Sequence, residues 1–187
     1  MKKQILVILL AVISLSANAQ RKTAVSAYGA ATAEINNIDG RGNLNVGGYG
    51  GVLLNHRWLI GAAGSNTFLK KTIDGTKTSF QYNTYGLYTE YHINPKSPVH
   101  LVTGLMAGAG YLQQEKGATT NEDQFARVGE WHAVIVPNLG LSIDVTSFMR
   151  IHTRASYNYS ADPQTSTLTK ENLRSVAGSV SLVFGKF

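Results

Sequence analysis

Hydrophobic and polar residues alternate with a period of two along most of the chain. Across residues 129–143, Trp131, Ala133, Ile135, Pro137, Leu139, Leu141 and Ile143 fall on one side, while His132, Val134, Val136, Asn138, Gly140 and Ser142 fall on the other. Across 149–160, Met149, Ile151, Thr153, Ala155, Tyr157 and Tyr159 oppose Arg150, His152, Arg154, Ser156, Asn158 and Ser160. Across 80–93, Tyr85, Leu87, Thr89, Tyr91 and Ile93 oppose Tyr88, Glu90 and His92. Period two is strand geometry, because successive side chains leave a pleated backbone on opposite faces. Helical spacing is poor, and the recurring valine, threonine and tyrosine favour strands. The pattern predicts eight strands, at about 23–35, 43–54, 57–69, 80–93, 98–113, 129–143, 149–160 and 173–187.

The connections between these segments are expected to alternate in length. Asn55-His56, Asn94-Pro95-Lys96-Ser97 and residues 144–148 are short. NNIDGRG is of medium length and polar, whereas KKTIDGTKTS, QEKGATTNEDQFARV and ADPQTSTLTKEN are long and polar. Short turns on one side and long loops on the other mark an even-stranded outer-membrane barrel. The predicted strands are long enough for that, since a membrane strand needs about 9–11 residues. The fold class is therefore all-β, an eight-stranded antiparallel up-and-down transmembrane barrel. A soluble lipocalin-like barrel is the competing fold, because period two alone does not say which face points in.

The start of the chain, the alternating loop lengths and the placement of the aromatics together favour the membrane barrel. Lys2 and Lys3 precede an apolar run from Ile5 to Leu15, and Ala17-Asn18-Ala19 is a small-x-small cleavage site. These are the parts of a secretory signal peptide, removed after Ala19. The expected organisation is a signal peptide over 1–19 and an outer-membrane barrel domain over 20–187. With apolar residues toward lipid, aromatic side chains would form two interfacial girdles. Trp58, Tyr91 and Phe184 would lie at the short-turn end. Phe68, Tyr111, Trp131, Tyr157 and Tyr159 would lie at the long-loop end.

Composition narrows the function. The 187 residues include no cysteine, which excludes disulfides, thiolate chemistry and a cysteine-anchored lipoprotein. The formal charge of +6 falls to +4 without Lys2 and Lys3. No basic cluster interleaves with aromatics, so nucleic acid is not an expected partner. The glycines lie in strands, where they permit bends and close packing, and no helix follows them to cradle a phosphate.

An eight-stranded barrel has an interior just wide enough for side chains to fill it. Glu34, Glu90, Asp144, Arg150, His152 and Arg154 are the expected interior charges, of both signs, forming a network that plugs the lumen. His92 and His100 flank the turn at Lys96 symmetrically and are expected opposite each other, with Glu90 as the obvious third ligand. Zinc usually takes three or four ligands, so no metal and no cofactor is expected. Counting outward from Thr146 places His152 opposite Gly140, with Ser142 diagonal to it. A nucleophile, base and orienting group built from Ser142, His152 and Glu90 or Asp144 is then poorly aligned.

Four stretches carry a family resemblance: GGYGGVLLNHRWLIGAAGSNTF, YGLYTEYHINPKSPVHLVTGLMAGAGY, VPNLGLSIDVTSFMRIHTRASYNY and the terminal SLVFGKF. Over most of the chain after residue 19 they resemble small outer-membrane β-barrel proteins of Bacteroidota. The resemblance implies an outer-membrane barrel of largely unassigned role and brings no catalytic residues. Phe187 resembles the terminal aromatic that presents a last strand to the outer-membrane assembly machinery. However, Val176, Val180, Leu182 and Phe184 have the opposite parity, so the strand ends near Phe184 or carries a bulge.

The expected function is structural or interactive. The contacts would be outer-membrane lipid, the assembly machinery through the C-terminal strand, and an unknown extracellular ligand or protein. The loop over residues 114–128 is the expected ligand-contact segment, being longest and most charged. A narrow solute channel, a lipid-modifying enzyme and a lipocalin-like carrier are the alternatives.

Overall fold

The computed structural model describes residues 23–38, 41–73, 76–116, 127–161 and 174–187. The expected signal peptide and its cleavage site lie outside the described residues. Eight strands form: β1 (Val25–Ile38), β2 (Arg41–Leu54), β3 (Trp58–Ile73), β4 (Thr76–Ile93), β5 (Val99–Lys116), β6 (Arg127–Asp144), β7 (Met149–Ser160) and β8 (Ser175–Gly185). Each pairs antiparallel with its neighbour in sequence, and β1 pairs with β8 to close the barrel.

The alternating pattern sets the two faces. Outward positions are apolar: Leu87 is 78% exposed, and Ile35, Leu139 and Val180 also face out. Inward positions are mixed and polar: Glu90 and His152 are 1% and 0% exposed. Closure leaves no free sheet edge, so each strand has a ladder partner on both sides. Pro137 is outward and has no N–H to donate. The β6–β7 register accordingly resumes at Ile135 and at Asn138 on either side of it.

Two of the four loop-side connections, one expected to be medium and one long, are shorter than expected. Ile38 pairs with Arg41, and Ile73 pairs with Thr76, so two residues join each pair of strands. In both cases those two residues are Asp-Gly, the pair that most favours a two-residue hairpin. Much of KKTIDGTKTS is strand, because Thr72, Ile73, Thr76 and Thr78 suit a ladder even beyond the apolar belt. Gln114–Lys116 and Arg127–Val128, expected in the longest loop, extend β5 and β6. Residues 117–126 lie outside the described residues.

On the opposite side the turns are short. Asn55 and His56 take left-handed conformations (φ 52° and 56°), and Arg57 N donates to Leu54 O at 3.0 Å. Asn94 is also left-handed (φ 57°), and Ser97 N donates to its carbonyl at 3.1 Å. Both the β4–β5 and β6–β7 hairpins are centred one residue later than symmetric counting suggests. Ile93 pairs with Leu101, and Asp144 with Arg150. Each shift moves the cross-strand partners by two residues, which keeps every side chain on its face but changes its neighbour.

Candidate functional site

The short-turn half of the lumen is closed by a charged cluster. Its centre is Glu90 on β4. Tyr28 Oη donates to Glu90 Oε1 at 2.5 Å, and Tyr88 Oη donates to Oε2 at 2.7 Å. Arg154 Nη2 lies 2.7 Å from Oε2, and His92 Nε2 lies 3.1 Å from Oε1. Thus a carboxylate with about four acceptor positions meets four donors. Arg154 Nη2 also donates to Tyr49 Oη and lies 2.6 Å from His152 Nδ1. Its guanidinium stacks over the Tyr49 ring at 4.1 Å.

The cluster continues toward the turns. Tyr49 Oη lies 2.8 Å from His152 Nδ1. His92 Nδ1 lies 3.0 Å from His100 Nε2, and His100 Nδ1 donates to Ser97 O at 3.0 Å. Leu53, Leu59, Val102 and Val183 are fully buried around these groups and exclude water from them. Phe187 packs beneath: its ring lies 5.6 Å from Tyr28, and the Arg150 guanidinium lies 3.9 Å above it.

The six expected interior charges all face the lumen, but they do not form one network. Glu90, Arg154 and His152 share the central cluster. Asp144 and Arg150 form a separate pair, Oδ1 to Nε at 2.6 Å, near the turn. Glu34 sits in the loop half and, among the described residues, accepts from Asn45 Nδ2 at 3.1 Å and Ser156 Oγ at 3.3 Å. Between Glu34 and the Arg154 layer lies a cavity of about 100 Å³, with Tyr49, Tyr88 and Arg154 on its cluster side. Beside it, Tyr82 Oη is 3.1 Å from Ser160 Oγ and 3.2 Å from His132 Nε2.

Two histidine placements are corrected by the register. His92 pairs with Val102, and His100 with Ser142, so the two are not directly opposite. Their rings meet across the offset. His92 and Glu90 touch, yet among the described residues no group of three His, Asp or Glu is arranged to hold a metal. His152 stands directly opposite Ser142, not Gly140. The pairing does not make a nucleophile: Ser142 Oγ has no hydrogen-bond partner, and both residues are 0% exposed. A hydroxyl sealed in the wall offers a substrate no approach.

The outward aromatics fall in two rows. Trp58 is directly opposite Tyr91, with ring centroids 5.7 Å apart, and Phe184 shares that end. Tyr111 is opposite Trp131 at 4.8 Å, with Tyr157 and Tyr159 exposed at the loop end. Phe68 lies in β3 opposite Gln81, but its side chain is outside the described residues. Phe187 is inward and lies beyond the end of β8 at Gly185, so it belongs to the lumen and not to the outer row.

Sequence reasoning missed Tyr28 and Tyr49. The alternation held the clue: Tyr28 shares its parity with Glu34, and Tyr49 with Asn45. A tyrosine on a lumen-facing position is large and carries a donor, which suits it to a buried carboxylate.

A closed eight-stranded antiparallel barrel, apolar outside and charged inside, is the architecture of small outer-membrane barrels. Solved structures are similar to this chain in fold. The crystal structure of Neisserial surface protein A (NspA) matches with a TM-score of 0.61 at 15% identity, covering 89% of this chain and 100% of that one. The N-terminal barrel domain of Pseudomonas aeruginosa OprF gives a TM-score of 0.48 at 15% identity, over 86% and 96% of the two chains. Ail, the attachment invasion locus protein of Yersinia pestis, gives 0.48 at 17% identity over the same shares. No protein-family model matches the chain, and no curated protein sequence does. At such identities the likeness concerns the fold.

Proposed function

We propose that this chain is an exported outer-membrane barrel, closed to solutes, that acts as a structural or surface-interaction protein through its loop side. The observation that carries the reading is the pairing of an apolar outer wall with a lumen stopped by the Glu90–Arg154 cluster. A soluble carrier turns its apolar face inward around a ligand. Here the inward face carries the charges, and the outward face would be left in water at a cost of about 25 cal/mol per Å².

The segment 1–19, read as a signal peptide, supplies the export route. Trp58 with Tyr91, and Tyr111 with Trp131, supply aromatic rows at the two levels where headgroups would lie. The resemblance to small Bacteroidota barrels supports the same placement. The assembly machinery is taken to engage β8 by its outward parity (Val176, Val180, Leu182, Phe184), since Phe187 is committed to the lumen. The sealed Ser142–His152 pair favours a non-enzymatic role. A solute channel is disfavoured because Glu90, Tyr28, Tyr49, Tyr88 and Arg154 occupy the axis from several strands at once.

Fractionation joined to heat-modifiability tests this. The precursor is expressed, outer membranes are isolated, and boiled and unboiled detergent extracts are compared on a gel. A faster-migrating unboiled form in the outer-membrane fraction is expected. Recovery in the soluble periplasm without a shift would overturn the reading.

A further inference from the structure

The lumen holds one carboxylate that its surroundings leave uncompensated. Among the described residues no basic side chain pairs with Glu34; the ion pairs there belong to Glu90 and Asp144. Arg154 reaches the same cavity, but its charge is already matched by Glu90 at 2.7 Å. Each Glu34 oxygen accepts from one neutral group, Asn45 or Ser156, at 3.1 and 3.3 Å. A carboxylate has about four acceptor positions. Two are therefore unused, on a half-buried anion inside a barrel.

A second observation points the same way. Asn36 and Asn45 line this cavity, are 5% and 6% exposed, and each has an Oδ1 without a partner. Buried acceptors without donors are costly, and buried charges need partners. What the site lacks is a positive charge carrying N–H donors. The remaining lining includes Ala63, Met106 and Val136, which would accept a small apolar body. The cavity of about 100 Å³ is small, room for under about ten waters at 10–15 Å³ each.

We propose that this cavity is a binding site for a small primary ammonium solute, with Glu34 as its counter-ion and its alkyl part toward Met106 and Val136. The site lies in the loop half, on the opposite side of Arg154 from the short turns, so a solute would enter from the loops and go no further. The inference stands apart from the location of the barrel and from any protein partner.

The test uses the whole folded chain, ¹⁵N-labelled and refolded in detergent micelles. Methylammonium chloride is titrated at constant ionic strength against sodium chloride. Saturable amide shifts at Glu34, Asn45 and Ser156 are expected, and Glu34→Gln should weaken the binding at least about tenfold, the loss of roughly 1.4 kcal/mol. Absence of saturable shifts in the parent chain would overturn the proposal. So would equal affinity in Glu34→Gln, or the same shifts from sodium alone, which would mean charge screening only. If Glu34→Gln loses its heat shift, Glu34→Asp replaces it. Its shortened reach should weaken binding, and unchanged affinity would count against the site.

Discussion

Glu90 and Glu34 are both glutamates on inward positions of one barrel, and they are treated in opposite ways. Glu90 lies in the short-turn half, where two tyrosines, an arginine and a histidine converge on it within 3.1 Å. Glu34 lies in the loop half, where an asparagine and a serine are its partners beside a cavity. The difference follows from the donors that neighbouring strands send to each level of the lumen. One half of the lumen becomes a packed stopper and the other a recess.

Removing the arginine should break the contrast most severely. Arg154→Met strands Glu90 as an unpaired buried charge and is expected to cost about 3–5 kcal/mol. Urea unfolding of the barrel refolded into lipid vesicles measures it. Replacing Glu90 by Gln in the same chain should recover part of that loss, since no charge is then stranded. A double variant less stable than Arg154→Met would place the cluster's energetics elsewhere.

A smaller change sharpens the comparison. Tyr49→Phe removes the hydroxyl shared by Arg154 and His152 and keeps the ring beneath the guanidinium. A loss of about 1–3 kcal/mol is expected in the same unfolding assay, because a hydrogen bond to a charged group is lost. Glu34→Gln should move stability least, within about 0.5 kcal/mol, since the amide oxygen still accepts from Asn45 Nδ2 and the amide NH2 donates to Ser156 Oγ, a hydroxyl that also accepts. A cost like that of Arg154→Met would mean that Glu34 is as tightly compensated as Glu90.

Much of the stopper was legible in the sequence. The parity of Glu90, His152 and Arg154 put them inside once the apolar side was turned outward. The eight strands followed from the same alternation, with ends within a few residues on the short-turn side. The loop side was harder to read. Thr72, Thr76 and Thr78 look polar enough for a loop, but a ladder outside the apolar belt needs no apolar face. The Asp-Gly pairs at 39–40 and 74–75 were the overlooked sign of tight connections. Partnership was also out of reach. Which donors meet at Glu90 depends on hairpin register, and a shift of one residue in a turn's centre moves each partner by two. Ser142 opposite His152 is the clearest case. Whether Glu34 joined the plug depended on strands β2 and β7, which offer it Asn45 and Ser156, while Arg154 of β7 is held by Glu90.

The central claim is that the Glu90–Arg154 cluster closes the barrel. Conductance of the refolded chain in a planar lipid bilayer tests it most directly. The account expects a sealed membrane, with no discrete current steps at either polarity after verified insertion. Steady, ohmic steps from the parent chain would contradict it, because ions would then be passing through the layer that Arg154 and the three tyrosines fill.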